Sequence, residues 1–227
     1  MKRVDRPRLV TFDFYTALVD YEGSLLPVLR AACPDVSDAT ALVRGWRAKQ
    51  LEAALLSNSH GRGRVPFREL TRRALVYTFA RVRQPLSDAL AERLVAAWNA
   101  LSPWPEANAT LIELKRRGYA IALLSNGDEA MLRAGCARFD VAFDHVFASD
   151  QAGFYKPHPA IYALPLTRLG LAASDMLHVA GSGNDAAGAK LAGLRCAWSN
   201  RAGEPMLEPD ARPDHEMRDL AELLAIL

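Results

Sequence analysis

The sequence lacks a strong excess of charge of one sign. Its 28 Lys and Arg against 26 Asp and Glu leave a net charge of +2 over 227 residues. A chain devoted to nucleic acid or to anionic membrane surfaces carries a larger basic surplus, so neither partner is expected. No apolar run approaches the ~18–20 residues of a membrane-spanning helix. The opening stretch MKRVDRPRLVTFD offers no uncharged run longer than Leu9 to Phe12 before Asp13, so no signal peptide is expected. Cysteine is scarce. Cys33, Cys136 and Cys196 are odd in number, widely spaced and without a C-x-x-C pair. That excludes a thiolate metal site and fits free, mostly buried thiols in a reducing cytoplasm. There is no internal repeat and no low-complexity segment.

What remains is an ordinary globular composition, 50% hydrophobic and 24% charged. A chain of this length buries roughly 70–75% of its unfolded surface and needs no metal or disulfide to fold. Residues 8–12 read as a short buried strand ending at Asp13. From about Leu25 to Leu101 every segment has helical spacing: one from Ala39 to Leu56, one starting near Pro66, and one after the Ser87/Asp88 cap signal. Gly61 to Gly63 marks a loop between them.

Beyond Pro103 and Pro105 strands and helices alternate. A helix stops at Gly118. The run Tyr119 to Leu124 then reads as a strand buried on both faces of a parallel sheet. Further strands are expected at His145–Ala148, Met176–Ala180 and Leu194–Trp198. Helices are expected after Asp128, after Pro159, from about Asn184 to Ala192, and from Leu220 to Leu227. Pro165 predicts a kink or break. This alternation predicts an α/β doubly wound, mainly parallel sheet, with the first strand in the same sheet as the later ones. The helical block is then an inserted cap, giving a core of residues 1–19 and 102–227 and a cap of residues 20–101. Ligands of such sheets sit at the carboxyl ends of the strands, where Asp13, Ser125 and the Ala180–Asp185 turn all fall.

Several residues there could carry chemistry, and each has a plainer reading. Asp13 is a nucleophile, a metal ligand or a turn cap. Ser125-Asn126-Gly127 is an anion-holding turn or a helix N-cap. Lys156 pairs with a carboxylate, keeping it ionised, or is solvated. Arg47 faces an interface from the cap or snorkels over its helix. The turn Gly181-Ser182-Gly183-Asn184-Asp185 lacks both G-x-G-x-x-G and the Walker lysine, so it is a weak nucleotide cradle, and Asp185 also suits a helix start. The basic stretch from Arg62 to Arg83 is a solvated helix face or a field attracting small anions.

Taken in order, FDFYTALVD, WRAKQLE, LLSNG, YKP and HVAGSGNDAAGAKLAGL resemble the haloacid dehalogenase superfamily, and within it the 2-haloacid dehalogenases. The likeness spans nearly the whole chain, and the cap motif WRAKQLE is its most diagnostic part. It implies a metal-independent hydrolase with an aspartyl-ester intermediate, acting on a small anionic organic acid, without cofactor, and as a homodimer. Residue by residue it implies Asp13 as nucleophile, Lys156 as its partner, Arg47 as receiver of the halide, and Asp185 as the acid orienting Lys156 and the hydrolytic water. Tyr15, Ser125, Asn126, Phe67, Ser182 and Asn184 would line the substrate site. Tyr15 stands where phosphatases of the superfamily have a second aspartate, and Gly181 where they have another, so Asp13 and Asp185 alone make a poor Mg²⁺ site.

The chain departs from the dehalogenase pattern at three places. Gly-Thr after the tyrosine is Thr16-Ala17, the S-S-N turn is Ala180-Gly181-Ser182, and a pocket tryptophan is Asn184. The last change implies a more polar alkyl subsite. Ring-opening hydrolysis of a strained cyclic amino acid of the azetidine-2-carboxylate type, by the same ester chemistry, is the alternative. A phosphatase and a non-catalytic member are the remaining readings.

Overall fold

The computed structural model describes residues 6–227. The first five residues of the expected core segment lie outside the described residues. Strand β1 (Leu9–Phe12) is buried throughout. It ends at Asp13, which starts a π-helical turn over Phe14–Leu18. A two-residue strand β2 (Val19–Asp20) follows. Next come four helices, α1 (Tyr21–Ala32), α2 (Ala39–Ser59), α3 (Phe67–Arg81) and α4 (Asp88–Ala97). Strand β3 (Ser102–Pro103) returns antiparallel to β2. This ribbon, too short to show a period in the sequence, ties the two ends of the helical insertion together.

The α/β part continues with α5 (Ala107–Arg116), β4 (Ala120–Ser125), α6 (Glu129–Cys136), β5 (His145–Ala148) and the single turn α7 (Ser149–Ala152). It closes with α8 (Pro159–Leu169), β6 (Met176–Ala180), α9 (Gly183–Leu191), β7 (Arg195–Ser199), β8 (His215–Met217) and α10 (Leu223–Ile226). The six-stranded sheet has the order β5-β4-β1-β6-β7-β8 and is parallel throughout. This is the doubly wound sheet with an inserted helical cap that the alternation predicts. Strand β8 carries charged Glu216 in three residues, too little pattern for the sequence to announce it.

The chain leaves β1 toward β4 on one side and later returns to β6 on the other. The switch point therefore lies at the carboxyl end of β1, the usual place for a ligand in such sheets. Registers Phe12↔Leu123 and Phe12↔Val179 bring Asp13, Ser125 and Ala180 to one edge.

No break occurs at Pro165: helix α8 runs through it. It is held at one end by the His158 cap on the Ala160 N–H and at the other by left-handed Gly170, and buried Pro165 forfeits only one ladder bond. Of the two readings of the arginine-rich stretch, the solvated helix face is the one observed. Arg68 pairs with Glu92, Arg72 with Asp88, Arg73 with Glu69, and Arg64 crosses to Asp128 at the start of α6. All three cysteines are free thiols, Cys196 buried and the other two half-buried. Among the described residues no helix is long and apolar enough to cross a membrane.

The cap is fixed to the core along residues 58–67. The Asn58 side chain exchanges two bonds with the Tyr155 backbone, at 2.8 and 2.9 Å, and the Tyr155 hydroxyl donates to the Val65 carbonyl. Asp128 accepts from the Phe67 and Arg68 N–H groups, so a core carboxylate caps a cap helix. Replacing Asp128 by Ala leaves half-buried Arg64 without its carboxylate, bonded only to the Ser149 hydroxyl, and strips the start of α3. The expected loss is about 2 kcal/mol of unfolding free energy, read from the urea midpoint.

Candidate active site

Asp13 fulfils its plain reading and more. Its Oδ2 accepts from the Thr16 N–H at 3.1 Å and the Thr16 hydroxyl at 2.9 Å, capping the turn after β1. Its Oδ1 accepts from the Ser125 hydroxyl at 2.9 Å and lies 3.4 Å from Lys156 Nζ. Four donors from three segments thus fix one carboxylate, which sits buried at the sheet edge.

Lys156 Nζ also donates to Asp185 Oδ2 at 3.0 Å, so the ammonium bridges the two carboxylates. The other Asp185 oxygen accepts from the Tyr162 hydroxyl at 2.9 Å. Burial alone would raise the Asp185 pKa. Lys156 and His178 overcome that and hold it well below the usual carboxylate range. Tyr162 approaches because α9 carries Gly188, where a Cβ would lie 2.5 Å from the Tyr162 hydroxyl.

Arg47 reaches the same place from α2 in the cap. The residue is 7% exposed, and its guanidinium lies over the rings of Tyr15, Tyr21 and Trp98 at 5.4, 5.7 and 5.6 Å. One N–H donates to Gln50 Oε1 at 2.5 Å, and Gln50 is held by the Thr71 hydroxyl. Arg47 Nε has no hydrogen-bond partner, and among the described residues Arg47 forms no ion pair. Burial lowers its pKa, with Asp13 opposing. A desolvated cation without a counter-ion is an anion site.

A cleft of about 40 Å³ lies among these groups, lined by Asp13, Thr16, Arg47, Lys156, Ser182 and Asp185, with Asn126 and Asn184 beside them. Larger hollows exist, about 580 Å³ beside Phe139 and about 410 Å³ along α2 and α3, but the convergent charged groups are absent from both. Asn126 accepts from the Lys156 N–H through its amide oxygen at 2.7 Å. Ser182 caps α9, accepting from the Asp185 N–H, and Asn184 is exposed at the rim. Ser125, Tyr15 and Phe67 are brought near but do not line the cleft. Ser125 is fully buried and turned to Asp13, while Phe67 packs on the Tyr15 ring at 5.2 Å. Burial pushes the Tyr15 hydroxyl pKa well up, which keeps it neutral.

Tyr162, Gln50 and His178 are site residues that sequence reasoning did not single out, and Thr16, noted there only as a departure from the pattern, holds Asp13. Thr16 and Gly181 fit each other. A Cβ on Gly181 would lie 2.2 Å from Thr16 Oγ1 and 2.3 Å from the Ala17 nitrogen. Gly181→Ala is therefore expected to push the Thr16 hydroxyl off Asp13. It should cost about 1–3 kcal/mol of stability and, if turnover depends on Asp13, about 10²-fold in rate. Denaturation midpoints and kinetics on the same preparation check both.

The model of haloacid dehalogenase-like hydrolases matches residues 7–193. The chain belongs to this family. It is 32% identical to (S)-2-haloacid dehalogenase 4A of Burkholderia cepacia, covering 99% of this chain and 96% of that one. It is also 32% identical to haloacetate dehalogenase H-2 of a Moraxella species, covering 94% and 93%. A solved structure of L-2-haloacid dehalogenase from Xanthobacter autotrophicus, with chloropropionic acid covalently bound, superposes with a TM-score of 0.84. The two are 29% identical over 97% of this chain and 98% of that one. The cleft lies between the α/β sheet and the helical insertion of this chain.

Proposed function

We propose that this family member is a metal-independent dehalogenase of small 2-haloacids, with residues 20–101 as cap and residues 1–19 and 102–227 as core. The observation that carries the reading is Arg47, a buried guanidinium caged by three aromatic rings without a carboxylate partner. A departing halide supplies the missing charge. An Asp13 oxygen attacks C2 of the substrate, the carbon–halogen bond breaks, and the electron pair leaves with the halide toward Arg47 and the amide of Asn126. Water then attacks the Asp13 carbonyl carbon, releasing a 2-hydroxy acid and restoring the carboxylate. Ser125 and Thr16 hold Asp13, Lys156 balances its charge, and Asp185 orients Lys156 and the water. Asp185, held so far below the usual range, is a weak base, so its part is orientation. Ser182 and Asn184 border the alkyl side of the substrate. Its carboxylate is taken by backbone N–H groups of the turn after β4, since the buried Ser125 hydroxyl is committed to Asp13.

The donor set supports chemistry without a divalent metal. Lys156 Nζ already occupies the space between Asp13 and Asp185, and a neutral buried phenol at Tyr15 replaces a carboxylate ligand. Asn184 at the rim favours a more polar substrate, such as a strained cyclic amino acid opened by the same ester chemistry. Arg47 disfavours the cationic amine which that reaction would place beside it.

Halide release from a panel of 2-haloacids, with azetidine-2-carboxylate alongside, tests the reading. Release is expected from short 2-haloacids, and activity should survive EDTA and gain nothing from Mg²⁺. Loss on chelation with recovery on Mg²⁺ would replace the reading by a phosphatase, and ring opening without halide release by the alternative.

A further inference from the structure

Beneath Lys156 and Asp185 lies a group that no step above uses. His178 sits mid-strand in β6 and is fully buried. Its Nδ1 is 2.9 Å from Thr11 Oγ1 on the adjacent strand β1. Its Nε2 is 3.2 and 3.1 Å from the two Asp185 oxygens and 3.3 Å from Lys156 Nζ. These contacts decide the tautomer. A neutral imidazole has one N–H and one lone pair. A lone pair on Nε2 would face both oxygens of a carboxylate that has no proton to give. The N–H therefore sits on Nε2 and donates to Asp185, which leaves Lys156 to donate to the carboxylates. Nδ1 is then the acceptor, and the buried Thr11 hydroxyl donates to it. Burial lowers the His178 pKa, Asp185 opposes and Lys156 adds, so the ring stays neutral.

The geometry points to His178 as a positioning residue, held in its Nε2–H tautomer by Asp185 and Thr11, that fixes the plane of the Asp185 carboxylate. His178 and Tyr162 grip the carboxylate, so that Oδ2 faces Lys156 at 3.0 Å. Lys156 in turn keeps its register with Asp13. Without the imidazole N–H, Asp185 turns about its Cβ–Cγ bond and the ammonium loses that register. The role deepens the proposed dehalogenase reaction and rests on it for turnover only; the tautomer stands independently.

The test has two arms. Nitrogen-15 spectra of the wild-type imidazole are expected to show protonated Nε2 and bare Nδ1 between about pH 6 and 9. Thr11→Val, which removes only the donor to Nδ1, should shift the Nδ1 resonance and leave the proton on Nε2, where Asp185 still accepts it. A wild-type ring protonated at Nδ1, or an Nδ1 resonance unmoved by Thr11→Val, overturns the assignment whatever the enzyme acts on. In the second arm, on a haloacid that the wild type turns over, His178→Phe should lower kcat about 10–100-fold with KM within about twofold. His178→Gln, which restores an N–H near Asp185, should recover most of that loss. A purely structural role would instead lower the thermal midpoint of both variants and leave the kcat-to-KM split unmoved. Wild-type kcat in His178→Phe, or Gln no better than Phe at equal stability, removes the positioning role. If the Phe variant does not fold, His178→Leu takes its place beside Gln: wild-type kcat in the Leu variant overturns the positioning role. Absence of halide release by the wild type sinks the dehalogenase reading and leaves the spectroscopic arm intact.

Discussion

Asp13→Asn is expected to lower halide release by at least about 10⁴-fold while the protein stays folded. The amide is a poor nucleophile, and the site punishes it a second time. All four groups around the Asp13 oxygens are donors: the Thr16 N–H and hydroxyl, the Ser125 hydroxyl and Lys156 Nζ. Either orientation of the amide turns an N–H₂ against two of them. The same arrangement makes an isotope prediction for the wild type. With enzyme in excess over a haloacid in heavy-oxygen water, the label should enter the Asp13 carboxylate on the first turnover, because water attacks the acyl carbon and not C2. Mass spectrometry of the peptide carrying Asp13 reads it directly. Label in the hydroxy acid after a single turnover would mean direct displacement by water, and Asp13 would lose its role as nucleophile.

The parts of the fold that repeat a pattern were legible. Strands β1, β4, β5 and β6 are short apolar runs, and three cap helices announce themselves by spacing or by a capping residue such as Ser87. The two-residue ribbon and β8 were not, because two or three residues carry no period. In the site, residues that sit just past a strand end, Asp13, Ser125 and Asp185, could be placed from position alone. The supporting contacts could not. His178 stands in an apolar strand run and meets Thr11, 167 positions away, only when β1 and β6 pair. Tyr162 looks like core until Gly188 lets its hydroxyl reach Asp185. Asp128 reads as the start of α6, yet its carboxylate caps α3, about sixty positions back in the chain. Thr16 and Gly181 look like two separate losses from the dehalogenase pattern. The structure makes them one exchange, in which the hydroxyl stands one position earlier and the turn opposite gives up its side chain to admit it.

Arg47→Met should move activity and stability in opposite directions. The guanidinium is desolvated, its Nε is unpaired, and among the described residues it forms no ion pair. Aromatic faces and Gln50 offset only part of that cost. A methionine fills the volume without the charge, and only Gln50 loses a partner, at about 1 kcal/mol. The variant should therefore be more stable by about 1–3 kcal/mol. That is several degrees in Tm for a chain of this size, at roughly 2–4 °C per kcal/mol. Halide release should fall about 10²–10³-fold, the usual cost of removing one preorganised donor from a developing charge. Arg47→Lys should fall between, since a point charge cannot lie flat over three rings. Halide ions give a direct check. Bromide should raise the wild-type Tm by binding the native state, and should leave Arg47→Met unmoved. A destabilised Arg47→Met would mean that the cation serves the fold, and an unchanged rate would mean that the halide leaves elsewhere. The expected pattern, a gain in stability bought with a loss of rate, would mark Arg47 as a charge kept for the anion it receives.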